Sequence, residues 1–406
     1  MERAQMSKRT PFIFIAAAAI VVSAAACSST SSSGSASAGT TGGSAASGST
    51  VLVSVPCQIS GPVPTPECAT SVQAYFDQVN AAGGVNGHKL KAVTCDTQDS
   101  PVTEANCLKS ATANPAIVAF VGHGNSTTTP ASIADIGTLA LTPAMSAAPN
   151  DFALSSFSGP TSGDTGSILL YRFLLGKGFG KPGVLACTGF IGCTTDIKGA
   201  QAFYAQKGIA VKVVTAGITA VDLTPQVTSL QHAGVNMVAV AEGTGGIAGA
   251  MKAASSLNYA PAFNLSYAAD DAQVLTQLPN VPNVYVPTPF NPAASARAAY
   301  TQLMNTYIGT GKWTMSYYGL NGYLAAQVFV ADLKGISGPV TRASVLAGMK
   351  KITNFSSPLL GAPIDFAKPA PVAEYPGIYN WYWFPALVQN HALVVTGAAV
   401  DMTSGA

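Results

Sequence analysis

A chain of 406 residues with 48% apolar residues is long enough for two globular bodies, each with its own core. Only 9% of the residues are charged, and the net charge of +2 comes without a basic cluster, so there is no electrostatic case for nucleic acid. Low charge with abundant Ala, Gly, Ser and Thr reads as an exported protein.

The first 27 residues read as a targeting segment. Lys8 and Arg9 precede an apolar run, Pro11 to Val22, too short to span a bilayer comfortably. Ser23-Ala24-Ala25-Ala26-Cys27 then resembles a lipobox with Cys27 as the lipidated residue, although Ala24 stands where such boxes prefer Leu. The alternative is plain cleavage and a soluble secreted chain. Residues 28–50 contain only Ser, Thr, Gly and Ala, which cannot bury a core and predict a flexible tether. A coil of that length spans roughly 25–30 Å.

From residue 51 the pattern is one of repeated βα units, hence a right-handed parallel sheet. Val51 to Val55 predicts a strand, Ala69 to Asn80 a helix ended by Gly83-Gly84, and Leu90 to Thr94 a second strand. Ser100-Pro101 then opens a helix, with serine as N-cap and proline in the first turn. Apolar runs at Ile117 to Val121 and Leu139 to Leu141 predict two more buried strands, with a two-turn helix from Pro130 to Gly137 between them. Both runs end in small polar residues, and the polar turns of an open α/β sheet lie at its ligand-binding edge. Residues 157–163, rich in Gly, Ser and Pro, predict a crossing between lobes.

A second series follows. Helices are expected over Thr165 to Lys177, Asp196 to Lys207, Thr224 to Ala233 and Ile247 to Leu257. Strands are expected over Gly183 to Cys187, Val211 to Thr215, Met237 to Ala241 and Phe263 to Ser266. The chain is then expected to return through Pro287 to Pro292 to two helices, Ala294 to Gly309 and Tyr317 to Leu333. A third crossing near Ser356 to Pro363 leads to an antiparallel element, Tyr379 to Phe384 with Ala392 to Thr396.

Beyond Cys27 six cysteines remain, and their spacing in an oxidising compartment suggests the local bridges Cys57–Cys68, Cys95–Cys107 and Cys187–Cys193. A metal reading is poor, because neither C-x-x-C nor a histidine cluster accompanies them. Gly243 to Ala248 fits G-x-G-x-x-[GA] after a strand, with Asp270 and Asp271 downstream, but an exported chain meets no nicotinamide pool, and no cofactor is expected. His123 beside Ser126 is a conceivable base and nucleophile, giving a secreted serine hydrolase as a reading of another class. No G-x-S-x-G or H-E-x-x-H supports an enzyme.

The stretch Gly122-His123, Ser126 to Thr129, Pro130-Ala131-Ser132 and Pro143-Ala144-Met145-Ser146 resembles the ligand-contacting segment of type I periplasmic binding proteins of the leucine/isoleucine/valine-binding class. Asn80-Ala81-Ala82-Gly83-Gly84-Val85-Asn86-Gly87 through Leu90 is similar to that family's N-x-x-G-G-[IV]-x-G-x-x-[IL] signature. The resemblance implies an α/β fold of two doubly wound parallel-sheet lobes joined by three hinge crossings. It places lobe 1 at 51–157 and 291–356, and lobe 2 at 163–287 and 363–400. It further implies a binding protein rather than an enzyme, anchored outside the cell membrane and serving an ABC permease, or alternatively a sensory system. The ligand would be a small amino acid or a carboxylate or amide relative. Its carboxylate would meet Asn125 or Ser126, Ala144 and Ser146, with Phe190 and Tyr318 as aromatic candidates for the side-chain pocket. The acid that pairs with an ammonium group in the family falls near Tyr267, where this chain has no carboxylate. Glu242, Asp270 or Asp271 stand in reserve, or the ligand lacks an ammonium group.

Overall fold

The computed structural model describes residues 48–61, 64–122, 128–140, 148–156, 165–189 and 191–403. The targeting segment, Cys27, most of the tether and the crossing at 157–163 lie outside them.

Two main sheets carry the described residues. In the first, strands β1 (Thr50–Cys57), β2 (Lys89–Asp96), β3 (Ile117–Val121), β4 (Ala134–Ile136) and β6 (Asp151–Phe152) run parallel in the order β2-β1-β3-β4-β6. Its helices include α1 (Glu67–Ala81) and α2 (Pro101–Ala113). Ser100 caps α2 by accepting the Thr103 amide, as its sequence suggests. In the second sheet, β8 (Pro182–Thr188), β9 (Lys212–Gly217), β10 (Met237–Ala241), β11 (Ala262–Leu265) and β12 (Val284–Thr288) are parallel. Strands β13 (Tyr382–Gln389) and β14 (Ala392–Val395) add an antiparallel edge. Asn390 and His391 both take positive φ, which is the two-residue turn a twisted hairpin favours.

Three sequence expectations are corrected. The stretch Pro130 to Gly137 is not a helix. Its residues 134–136 form β4, because Ile133, Ala134 and Ile136 are all fully buried and leave no solvent face for a helix. Gly122 donates its amide to Ile136 O at 2.8 Å, and Gly137 then turns at φ +72°, with Ala325 where a Cβ would stand. The run at Leu139 is correspondingly not the fourth strand of the main sheet. Among the described residues, Leu139–Ala140 (β5) pairs only with Ser155–Ser156 (β7), in a separate two-stranded ribbon.

Phe263 to Ser266 is also not the last strand of the second series, since β12 follows it. Pro287 argues against a central strand in sequence. It is tolerated because its partner across the β12–β13 ladder is Pro385, so neither proline is asked for an amide there, and β11 pairs with β12 only as far as Tyr285. The helix Arg342–Met349 was not anticipated; Thr341 and Ser344 close it with a reciprocal capping box.

After β12 the chain returns to the first sheet. Helix Ala294–Met304 and helix Tyr317–Gly335 both pack on α1. Phe76 meets Phe329 across that contact with ring centroids 5.9 Å apart. Gly322 lets the two helices close, because a Cβ there would overlap the Cys68 carbonyl. Cys57–Cys68, Cys95–Cys107 and Cys187–Cys193 are all bridged, with Cα separations of 6.3, 5.8 and 5.4 Å. Each ties a strand end to the following helix.

Asp332 is an exception to the apolar interior. It lies on helix Tyr317–Gly335 against Gly348, and neither carboxyl oxygen has a hydrogen-bond partner. Burial pushes its pKa up to about 7, with Lys351 drawing it partly back.

Two tests follow from this packing. Removing Cys95 and Cys107 together should cost about 2–3 kcal/mol, because the bridge closes a short loop of the unfolded chain, and denaturant unfolding of the double alanine variant measures it. Asp332 titrates at a higher pH folded than unfolded, so the folded chain holds the extra proton between about pH 4 and pH 7 and stability falls as pH rises through that window. Asp332→Asn should remove roughly 2–3 kcal/mol of the fall between about pH 5 and pH 8, one pKa unit being worth about 1.4 kcal/mol. An unchanged pH slope would rule out Asp332 as its source.

Candidate functional site

Ligands of open α/β sheets bind outside the carboxyl ends of the strands. In the first sheet these ends are Cys57, Asp96, Val121-Gly122 and Ile136; in the second they are Thr188, Ala241-Glu242 and Leu265 to Tyr267. The two edges face each other. Tyr267, just past β11, packs on Tyr317 at 5.1 Å between centroids. Asp271 acts electrostatically on Glu67, at the start of α1, and Asp99, past β2, acts on Tyr318. Residues following strands of both sheets therefore meet at these edges.

Asn125, Ser126, Ala144, Ser146 and Phe190 lie outside the described residues, as does His123. Glu242, Tyr267, Asp270 and Tyr318 are described, and their situations differ. Glu242 follows β10 immediately and folds against the first turn of helix Thr244–Ser256, where an ideal Cβ at Gly246 would stand 2.8 Å from its Oε2. It is 4% exposed, and neither oxygen has a hydrogen-bond partner among the described residues. Burial pushes its pKa up to about 7. The G-x-G-x-x-[GA] glycines thus build a tight strand-to-helix turn that carries a carboxyl.

Asp270 is committed elsewhere. Its Oδ1 accepts Arg297 Nη1 at 2.8 Å, and its Oδ2 accepts Arg297 Nη2 and Thr288 Oγ1, both at 2.7 Å. Asp271 caps the short helix Ala272–Leu275 by accepting the Gln273 and Val274 amides, while burial raises its pKa. Tyr318 is pushed up to about 12, chiefly by burial. Its ring stands edge-on to Tyr317 at 5.3 Å.

Sequence reasoning missed Tyr317 and Arg297. Tyr317 is fully buried, bonds Ser155 Oγ at 2.8 Å through its hydroxyl, and stacks on Phe290 at 5.3 Å. The signal for Arg297 was periodic: Arg297, Tyr300 and Met304 recur at helical spacing and share the buried stripe of their helix.

A two-lobed α/β body with strand edges converging on one crevice defines a ligand-binding class. The chain belongs to the periplasmic binding protein family, whose pattern matches residues 50–372. Its fold is the type I fold of the leucine/isoleucine/valine-binding group. A branched-chain amino acid ABC transporter protein from Thermus thermophilus, solved with bound valine, matches 87% of this chain and 97% of its own at TM-score 0.72 and 15% identity. A fatty acid ABC transporter substrate-binding protein from Thermomonospora curvata matches 88% and 94% at TM-score 0.69 and 18% identity. A leucine-binding protein from Thermotoga maritima matches 86% and 99% at TM-score 0.68 and 14% identity. At such identities the likeness is one of fold. No curated protein matches the chain.

Proposed function

We propose that this protein is the extracytoplasmic, lipid-anchored ligand receptor of an ABC importer, closing two lobes over a small amino-acid-like ligand and presenting it to a membrane permease. The lobes would comprise 51–157 with 291–356, and 163–287 with 363–400. The ligand's carboxylate would be held by Asn125 or Ser126, Ala144 and Ser146, and its side chain by Phe190 and Tyr318. The observation that carries the ammonium assignment is Glu242. With Asp270 paired to Arg297, Asp271 capping a helix and tyrosine at 267, Glu242 is the buried carboxyl at the crevice edge with both oxygens unpartnered. An unpartnered buried carboxyl is costly, and a cationic nitrogen would satisfy it. The valine-bound relative supports this class of ligand. The second reading is a carboxylate without an ammonium group, favoured by tyrosine at 267 where the family places an acid and by the fatty-acid relative. Service to a sensor instead of a permease is distinguished by neighbouring genes for permeases and ATPases.

A thermal-shift screen of amino acids, amides and small carboxylic acids tests the reading. Ser146→Ala should weaken any carboxylate hit by at least about tenfold, the equivalent of 1.4 kcal/mol. An ammonium selects ionised Glu242, so affinity for an amino acid should fall by about tenfold from pH 8 to pH 6 as the group protonates. Glu242→Gln should weaken the same ligand and flatten that profile. Equal binding by wild type and Glu242→Gln at both pH values would select the second reading.

For the anchor, intact mass should show residues 1–26 removed and diacylglycerol on Cys27, and Cys27→Ala should release the protein from membranes. Cleavage elsewhere without lipid would refute the anchor and leave ligand binding untouched.

A further inference from the structure

The link from β12 back to the first sheet is held at both ends by one carboxylate. Asp270 belongs to the loop after β11 in the second sheet, and Arg297 to helix Ala294–Met304, which packs on α1 of the first. The two side chains form a two-pronged pair with 1% and 8% exposure. Thr288, the last residue of β12, donates to the same carboxylate, and the Phe290 amide donates back to Thr288 Oγ1 at 3.2 Å. Arg297 also donates from Nε to Asn291 O at 3.1 Å and from Nη2 to Phe290 O at 3.4 Å. Thr288, Phe290 and Asn291 of the turn are therefore each bonded to one ion pair. A bidentate guanidinium–carboxylate fixes direction as well as distance, and parting it in a dry site leaves two unpaired charges.

The same loop grips the first lobe a second time. Asp271 and Ser316 form an antiparallel bridge, with Tyr317 N donating to Asp270 O and Ala272 N to Met315 O, each at 2.8 Å. Ser316 at the same time caps helix Tyr317–Gly335 by accepting the Gly319 amide. Tyr317 then touches Phe290, Tyr267 and Ser155, so the second link, the loop and the segment before the first crossing meet on one buried ring.

We propose that Asp270 and Arg297 are positioning residues that make this second link a rigid pivot. Loop 266–272 and the start of helix Tyr317–Gly335 stay joined whether the lobes are open or closed, which sets Tyr267 against Tyr318 at the crevice edge before any ligand arrives. The inference rests on the two-lobed receptor reading, but its test needs no ligand, so failure to find one leaves it standing and its own failure leaves the ligand site untouched.

Hydrogen exchange of the ligand-free, full chain reads it directly. The amides of Ala272 and Tyr317 donate from one lobe to the other, whereas those of Val53 and Val240 lie inside single sheets. A pivot that never opens gives Ala272 and Tyr317 protection within about tenfold of Val53 and Val240, the level of core strands. Exchange about a thousandfold faster, by an opening that spares the sheets, would overturn the proposal. Asp270→Asn removes the charge, and Arg297→Lys keeps charge but cannot reproduce the two-pronged bond. Each should speed exchange at Ala272 and Tyr317 by at least about tenfold while leaving Val53 and Val240 unchanged. A uniform rise at all four amides would show a pair that stabilises the fold without positioning anything. If Asp270→Asn does not fold, Arg297→Lys decides alone.

Discussion

The buried pair of Asp270 and Arg297 is the constraint on which the arrangement of the crevice depends. In a chain with 9% charged residues, a dry ion pair is not a surplus of surface charge folded inward. Such pairs contribute little net stability against an apolar replacement of similar volume, because both ions surrender their hydration. What they contribute is direction. Here the carboxylate and guanidinium together tie the loop past β11, the end of β12 and the segment before the next helix in one set of bonds. Tyr267, Tyr317 and Phe290 take their places from that set.

The parts of the fold legible in sequence are those fixed by local chemistry. The βα alternation, the Ser100 cap with Pro101 and the three short cysteine spacings each have a cause within a few residues, and each is present. The misreadings share a different cause. Residues 134–136 adopt a strand because β3 and β6 lie on either side, and apolar residues buried on both faces show no period that separates strand from helix. Pro287 hides β12 for a similar reason. Its acceptability depends on Pro385, nearly a hundred residues away, and on where β11 stops pairing.

The site was legible unevenly. The crevice edge could be read from where the apolar runs end, but which carboxylate was available could not. Glu242, Asp270 and Asp271 look equivalent in sequence; Arg297 engages one, a helix start engages another, and Glu242 is left. Only the partner side chains distinguish them, and Arg297 is presented by a helix of the other lobe.

Glu242 and Asp332 make a comparison that separates cost from purpose. Both are buried carboxyls without hydrogen bonds, and burial pushes both up to about 7. Asp332 stands between two helices of the first lobe, against Gly348, with Lys351 the nearest cationic influence. Glu242 stands at a strand end, on a turn built of glycines that leave room beside it. A raised pKa alone therefore does not mark a ligand contact, because desolvation acts alike in a helix interface and in a cleft. What differs is position: one carboxyl ends a strand beside a glycine turn, and the other lies between packed helices.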